Sequence, residues 1–180
     1  MIDLITKVGF LFYPLCFLSL LASIIILERL FYFIRLPKVQ NSTFYLEISK
    51  LLDKNSEIAK NLRDEIIEVK LIEYQNILQN GLYSLKMIAI ITPMIGLLGT
   101  VIGMIKSFKV ISKLDSAVAP SMIADGLFNA MLTTAYGLAI AIISLFFTFI
   151  YLRISEKYLS NIQKLANIKS FKLAKININD

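Results

Sequence analysis

Four side chains carry the polar chemistry this sequence offers inside long apolar runs: Thr100, Thr133, Thr134 and Asn129. Thr100 sits in IAIITPMIGLLGTVIGMIKSF, residues 88–108, beside Gly96, Gly99 and Gly103. Gly99 and Gly103 form a small-xxx-small pair, a flat strip on which another membrane helix can approach closely. A second strip lies in residues 126–152, where Ala130, Thr134, Gly137 and Ala141 recur at helical spacing, with Asn129 and Thr133 on an adjacent face. Hydroxyls held between close-packed helices can bond across them or orient water. The plainer role of each Thr is a bond back to a carbonyl one turn earlier. A single interhelical polar bond contributes only about 0.6 kcal/mol, so the combination of two strips at similar depth carries the weight. Asn129 requires a partner if it lies in hydrocarbon, or it meets water near the outer boundary.

None of these groups titrates in the physiological range. Neither run has an Asp or Glu in its middle, where a lone charge would cost about 2.5 to 3.5 kcal/mol on the gentler insertion scale. A proton path through these segments therefore needs a carboxylate from another polypeptide.

The elements that must position these residues are membrane helices. Of the 180 residues, 57% are hydrophobic, above the usual range for a soluble domain, and the mean hydropathy is +0.69. Three runs reach the roughly 20 residues needed to cross a hydrocarbon core. The spans are expected at about 8–34, 86–108 and 126–152. The first run is too long for a signal peptide and no small-x-small cleavage site follows it, so it is expected to stay. Pro93 removes one backbone hydrogen bond from the second span and is a candidate hinge. Asp125, ahead of the third span, is expected to cap it.

Composition excludes several classes. The chain has no His and no Trp, and its lone Cys16 cannot form an internal disulfide or a zinc site. No phosphate-binding loop or nucleophile constellation occurs, so no enzyme, metal or cofactor is expected. The net charge of +6 lies mostly at membrane flanks and in the tail, which favours topology over nucleic-acid binding. The basic segment 153–180 places the C-terminus in the cytoplasm, and three spans then put the N-terminus outside. Glu28 and Arg29, at the end of the first charge-free run, are expected to pair or snorkel at the inner interface.

Residues 37–86 are charged and amphipathic, with apolar residues at Leu51, Ile58, Leu62, Ile66, Val69, Ile77 and Leu85 close to helical period. One long helix is expected from about Glu57 into the second span, capped by Asn55 or Ser56 and softened at Gly81. Its stripe is expected to pack against neighbouring cytoplasmic helices. Segment 109–124 is too short for an external domain. The whole chain, 1–180, reads as a single all-α polytopic membrane domain with cytoplasmic helical extensions 37–86 and 153–180.

The residues also resemble a known family. TPMIGLLGTVIGMIKSF is similar to the second-span signature of the MotA/TolQ/ExbB proton channel family, with its Gly-Leu-x-Gly-Thr-Val core. ADGLFNAMLTTAYGLAIAI is similar to that family's third-span signature, Ala-x-x-x-Thr-Ala-x-Gly-Leu, and ERL at 28–30 also fits. Three spans and small size point to the ExbB/TolQ branch. The resemblance implies a homopentameric ring in the bacterial inner membrane surrounding the helices of an ExbD/TolR-type single-span partner. That partner supplies the pore aspartate, and a TonB- or TolA-type protein receives the work. Thr100 and Thr134 map to the signature threonines, and these two together with Thr133 and Asn129 are expected to line the pore. Asn129 stands where many relatives carry Glu, and Asp125 where Pro is frequent. A membrane scaffold that conducts nothing is the alternative function.

Overall fold

A computed structural model describes residues 9–112 and 120–174, and the described residues form helices and short connections only. Five α-helices follow a 3-10 turn at Gly9–Leu11: α1 (Phe12–Ile34), α2 (Thr43–Lys54), α3 (Lys60–Gln79), α4 (Leu82–Ile111) and α5 (Pro120–Leu173). A second 3-10 turn, Val39–Asn41, precedes α2. By length and apolarity α1, α4 and α5 qualify as membrane spans, as the three charge-poor runs require. The chain is a membrane protein of the all-α class.

The chain divides into two compact units. One comprises residues up to Glu28 together with Tyr83–Thr148, the other Arg29–Leu82 together with Phe149–Asp180. The first is made of the apolar parts of α1, α4 and α5. Ala22 and Ile26 of α1 pack with Leu85 and Ile88 of α4, flanked by Ile140 and Phe147 of α5. Its outward side chains remain strongly apolar, with Phe17 61%, Leu97 62%, Ile142 66% and Phe146 61% exposed. That is the surface expected where hydrocarbon or other membrane helices replace water.

The second unit has a core of the aqueous kind. Ile48 and Leu52 from α2, Ile67 and Tyr74 from α3, and Ile162 and Ala166 from α5 are buried together. Phe44 stacks on Tyr74 at 4.4 Å between ring centroids. Polar ties surround this core. Arg63, 2% exposed, donates to the Ser56 carbonyl at 2.7 Å and to the Ser170 carbonyl at 3.3 Å. Lys169 reaches Asp53 at 2.6 Å.

Several local expectations are corrected. Residues 57–86 do not form one helix. Asn55 caps the C-terminus of α2, bonding back to the Leu51 carbonyl through its backbone N–H and its side chain; α3 instead follows Ala59, which makes no side-chain capping bond, and Ser42 caps the start of α2, accepting from the Phe44 N–H. Between α3 and α4 the chain turns at Gly81, whose φ is +80°. Only glycine adopts this left-handed conformation cheaply, so Asn80-Gly81 is a full break. The buried stripe of α3 is Arg63, Ile67, Tyr74 and Leu78. The sequence-derived stripe is displaced from it, and Leu62, Val69 and Ile77 are 52%, 60% and 45% exposed. At the third span, α5 starts at Pro120, which suits a first helical position. Asp125 falls inside the helix instead of capping it, and its side chain lies outside the described residues. Beyond 152 the same helix runs unbroken to Leu173. Arg29 does not snorkel: it is 7% exposed, and a Cβ at Gly81 would lie 3.2 Å from its guanidinium. Residues 113–119 and the tail beyond 174, where part of the topological charge lies, are outside the described residues.

Candidate functional site

The two small-residue strips meet each other in the first unit. A Cβ at Gly96 would lie 2.9 Å from the Thr134 Cα, and one at Gly99 would lie 2.6 Å from the Thr133 Cγ2. One at Gly103 would collide with the Ala130 Cβ, and one at Gly137 would lie 2.6 Å from the Thr92 carbonyl oxygen. Real Cβ atoms do not approach so closely, so at these positions α4 and α5 touch almost backbone to backbone, as small-residue strips permit. Ala130, against Gly103, is 3% exposed, and Ala141, one turn beyond Gly137, is buried at 4%. Gly96, Gly99, Gly103, Ala130 and Gly137 thus lie in tight packing.

The hydroxyls divide into two kinds. Thr134 donates from Oγ1 to the Gly96 carbonyl at 2.8 Å, from one helix to the other. Thr100 donates to Leu97 O at 2.7 Å and Thr133 to Asn129 O at 3.1 Å, both within their own helices. Thr133 is 2% exposed and fills the space over Gly99. Thr100, Thr134 and Asn129 are each half-buried. Thr100 follows Gly96 by four residues, about one helical turn, so Thr100 and Thr134 stand at neighbouring levels of the α4–α5 pair. Pro93 lies within an uninterrupted α4; having no N–H, it leaves the Ala89 carbonyl without its helical donor.

Sequence inspection missed three hydroxyls. Thr92 and Ser144 are fully buried and Thr148 is 2% exposed. Thr92 bonds to Ile88 O at 3.0 Å and Thr148 to Ser144 O at 2.7 Å. With Thr133, Gly137 and Ala141, Ser144 and Thr148 continue a stripe at three- and four-residue steps. That spacing was the available signal, but the bulky residues around them hid it.

The site offers hydroxyl and carbonyl dipoles, close helix contact and no acid. Among the described residues no cluster of His, Cys, Asp or Glu could hold a metal. It can orient water, accept or donate hydrogen bonds and bind a polar group presented by another helix; it cannot by itself store a proton near neutral pH.

Comparison with known sequences agrees with this arrangement. Residues 37–164 match the MotA/TolQ/ExbB proton channel family. The chain belongs to that family. The matched region contains both signatures, the Gly96–Gly103 strip and the Thr134 face. Over 98 residues the chain is 39% identical to the biopolymer transport protein exbB1 of Vibrio cholerae serotype O1, covering 54% of this chain and 42% of the relative. Over 100 residues it is 35% identical to a putative biopolymer transport protein ExbB homolog of Methanothermobacter thermautotrophicus, covering 53% and 34%. Both names agree with the ExbB/TolQ branch. The match spans less than half the length of either relative.

Proposed function

We propose that this chain is the channel-forming stator subunit of a motor in the bacterial inner membrane, with its N-terminus outside and its C-terminus in the cytoplasm. The observation that carries the proposal is the Thr134–Gly96 bond at 2.8 Å, which joins two hydroxyl-bearing strips with no ionisable group between them. Family membership over residues 37–164 supports the same activity. Copies of the chain, five in the proposed ring, surround an ExbD/TolR-type helix whose aspartate carries the proton. Thr100 and Thr134 line the path and Asn129 stands near its outer end. Thr133 serves packing over Gly99, and Pro93 lets α4 bend. A TonB- or TolA-type protein takes the mechanical output to the envelope. One charge crossing 100 mV releases about 2.3 kcal/mol, so useful work requires several protons per cycle.

The test is proton flux in liposomes carrying the chain with its co-purified partner. Thr100→Val with Thr134→Val is expected to abolish flux while the complex keeps its mass, since the lost interhelical bond contributes only about 0.6 kcal/mol. Full flux from the double variant removes Thr100 and Thr134 from the path. No flux from the native complex would leave a scaffold, and flux unaffected when the partner's membrane aspartate becomes Asn would remove that aspartate from the path.

A further inference from the structure

The second unit carries two unmatched charge patterns. Between α3 and α5 lies a groove of about 260 Å³, lined by Leu71, Ile72 and Leu159 together with polar Gln75 and Gln163. Glu68 of α3 and Glu156 of α5 also line it. Neither carboxylate takes part in the ion pairs of this unit, in which Lys60, Lys70 and Lys169 hold Asp64, Glu47, Glu73 and Asp53. Both are exposed, so the groove offers two negative charges to a cation that enters it.

A basic stripe lies on the same α5. Arg153, Lys157 and Lys164 recur at steps of four and seven, on one face, and all are exposed. They too have no acidic partner among the described residues. Glu156 and Lys157 are consecutive, so groove and stripe are about 100° apart around the helix. The stripe thus lies beside the groove, and both are open to another molecule.

We propose that the groove between α3 and α5 receives the Arg153–Lys157–Lys164 stripe of a second copy of this chain. The occupant follows from charge complementarity: the groove presents two carboxylates beside Leu71, Ile72 and Leu159, and the stripe presents cations on long aliphatic stems that can cover those side chains. Two different patches can pair reciprocally in a two-fold dimer or head to tail. In the proposed ring the contact is head to tail: each copy gives its stripe to one neighbour and its groove to the other. The inference rests on the ring proposed above and assigns a surface to it.

Carbodiimide coupling tests it on the intact, detergent-solubilised complex, because this reagent joins a carboxylate to an amine only where they touch. The native chain is expected to give a ladder of two, three and more linked copies on a denaturing gel. The linked peptides should join Glu68 or Glu156 to Lys157 or Lys164. Glu68→Gln with Glu156→Gln, or Lys157→Gln with Lys164→Gln, should each reduce the ladder at least tenfold. The four-fold charge swap E68K/E156K/K157E/K164E should restore it. All these positions are exposed, so folding is not at stake. A ladder unchanged in both neutralised variants overturns the interface, as does a product that stops at two copies. A native complex with the mass of one chain sinks the ring itself, whereas an assembled complex with an unchanged ladder sinks only this contact.

Discussion

The two units solve the same packing problem with opposite materials. In the first, α4 and α5 are joined by glycines, alanines and hydroxyls, and the large apolar side chains point outward. In the second, Ile48, Leu52, Ile67, Tyr74 and Ile162 are inside, and charges other than Arg29 and Arg63 lie toward the outside. The solvent explains the reversal. Hydrocarbon is as apolar as Leu, so burying Leu there gains little, and close backbone approach with a few polar bonds must hold helices together. In water, burial of large apolar side chains is the main driving force. The same α5 changes along its length: its buried positions in the first unit, Ala130, Thr133, Gly137, Ala141, Ser144 and Thr148, are all small, whereas in the second Tyr151 and Ile162 are buried among Ser155, Ala166 and Ser170.

Four measurements test this contrast. The largest effect belongs to Gly96→Leu. The added side chain meets the Thr134 backbone, which has no soft end to yield. Overpacking costs about 1–3 kcal/mol even where neighbours can shift. Folded, extractable complex should fall about tenfold or more, as monitored by fluorescence-detected size exclusion. Normal yield would mean that the strips do not meet.

Next comes Leu52→Ala, which empties a fully buried position in the second unit. A loss of about 2–5 kcal/mol is expected, read from denaturant midpoints of a probe in α2 or α3. A loss well under 1 kcal/mol would place this core on the same small-residue rule as the first unit.

Gly81→Ala acts on the turn between α3 and α4. An L-residue in the left-handed region costs about 1–2 kcal/mol, and the new methyl crowds the Arg29 guanidinium. Thermal unfolding should show a clear decrease. An increase would mean that Gly81 is not held at positive φ.

The smallest effect is electrostatic and confined to the second unit. Lys70 lies 2.9 Å from Glu47 and 2.8 Å from Glu73. The hydrogen bond from Lys70 holds the Glu47 carboxyl below its ordinary value. Its stabilising contribution is therefore present above the unfolded value, about pH 4.3, and is lost as pH falls through the lower folded value. Lys70 is shifted upward, first by Glu73 and then by Glu47, so its contribution is complete below about pH 10.4 and fades as pH rises through the folded value. These groups are exposed, and Lys70→Gln should flatten both edges of a stability–pH curve only slightly. Buried Tyr74 is also shifted up, by desolvation first and the Glu47 carboxylate second, so alkaline unfolding should persist in Lys70→Gln. A large acid-side loss in the variant would contradict this weak role.

Much of the molecule was legible from residues alone. Three charge-poor runs of sufficient length forced three membrane helices, because unsatisfied backbone groups are not tolerated in hydrocarbon. Gly96, Gly99 and Gly103 announced a close helix contact because no other residue leaves that space. The helix breaks were harder. Asn55 is a good N-cap type, yet its amide caps the end of α2, since local side-chain bonding works at either helix end. The α3 stripe was misplaced because its helix has apolar residues on more than one face, and periodicity does not say which face meets the core. Arg63 was invisible for a related reason: a charged residue reads as surface until the Ser56 and Ser170 carbonyls are brought to it.

What the sequence determined by itself was the number of spans, the absence of an acid between the two strips, and the small residues that let helices approach; these depend on composition and spacing along one helix. That Thr134 bonds across to Gly96 while Thr100 and Thr133 bond within their own helices follows from how α4 and α5 pack. A hydroxyl one turn from a carbonyl has two acceptors within reach, and the position of the facing backbone selects between them.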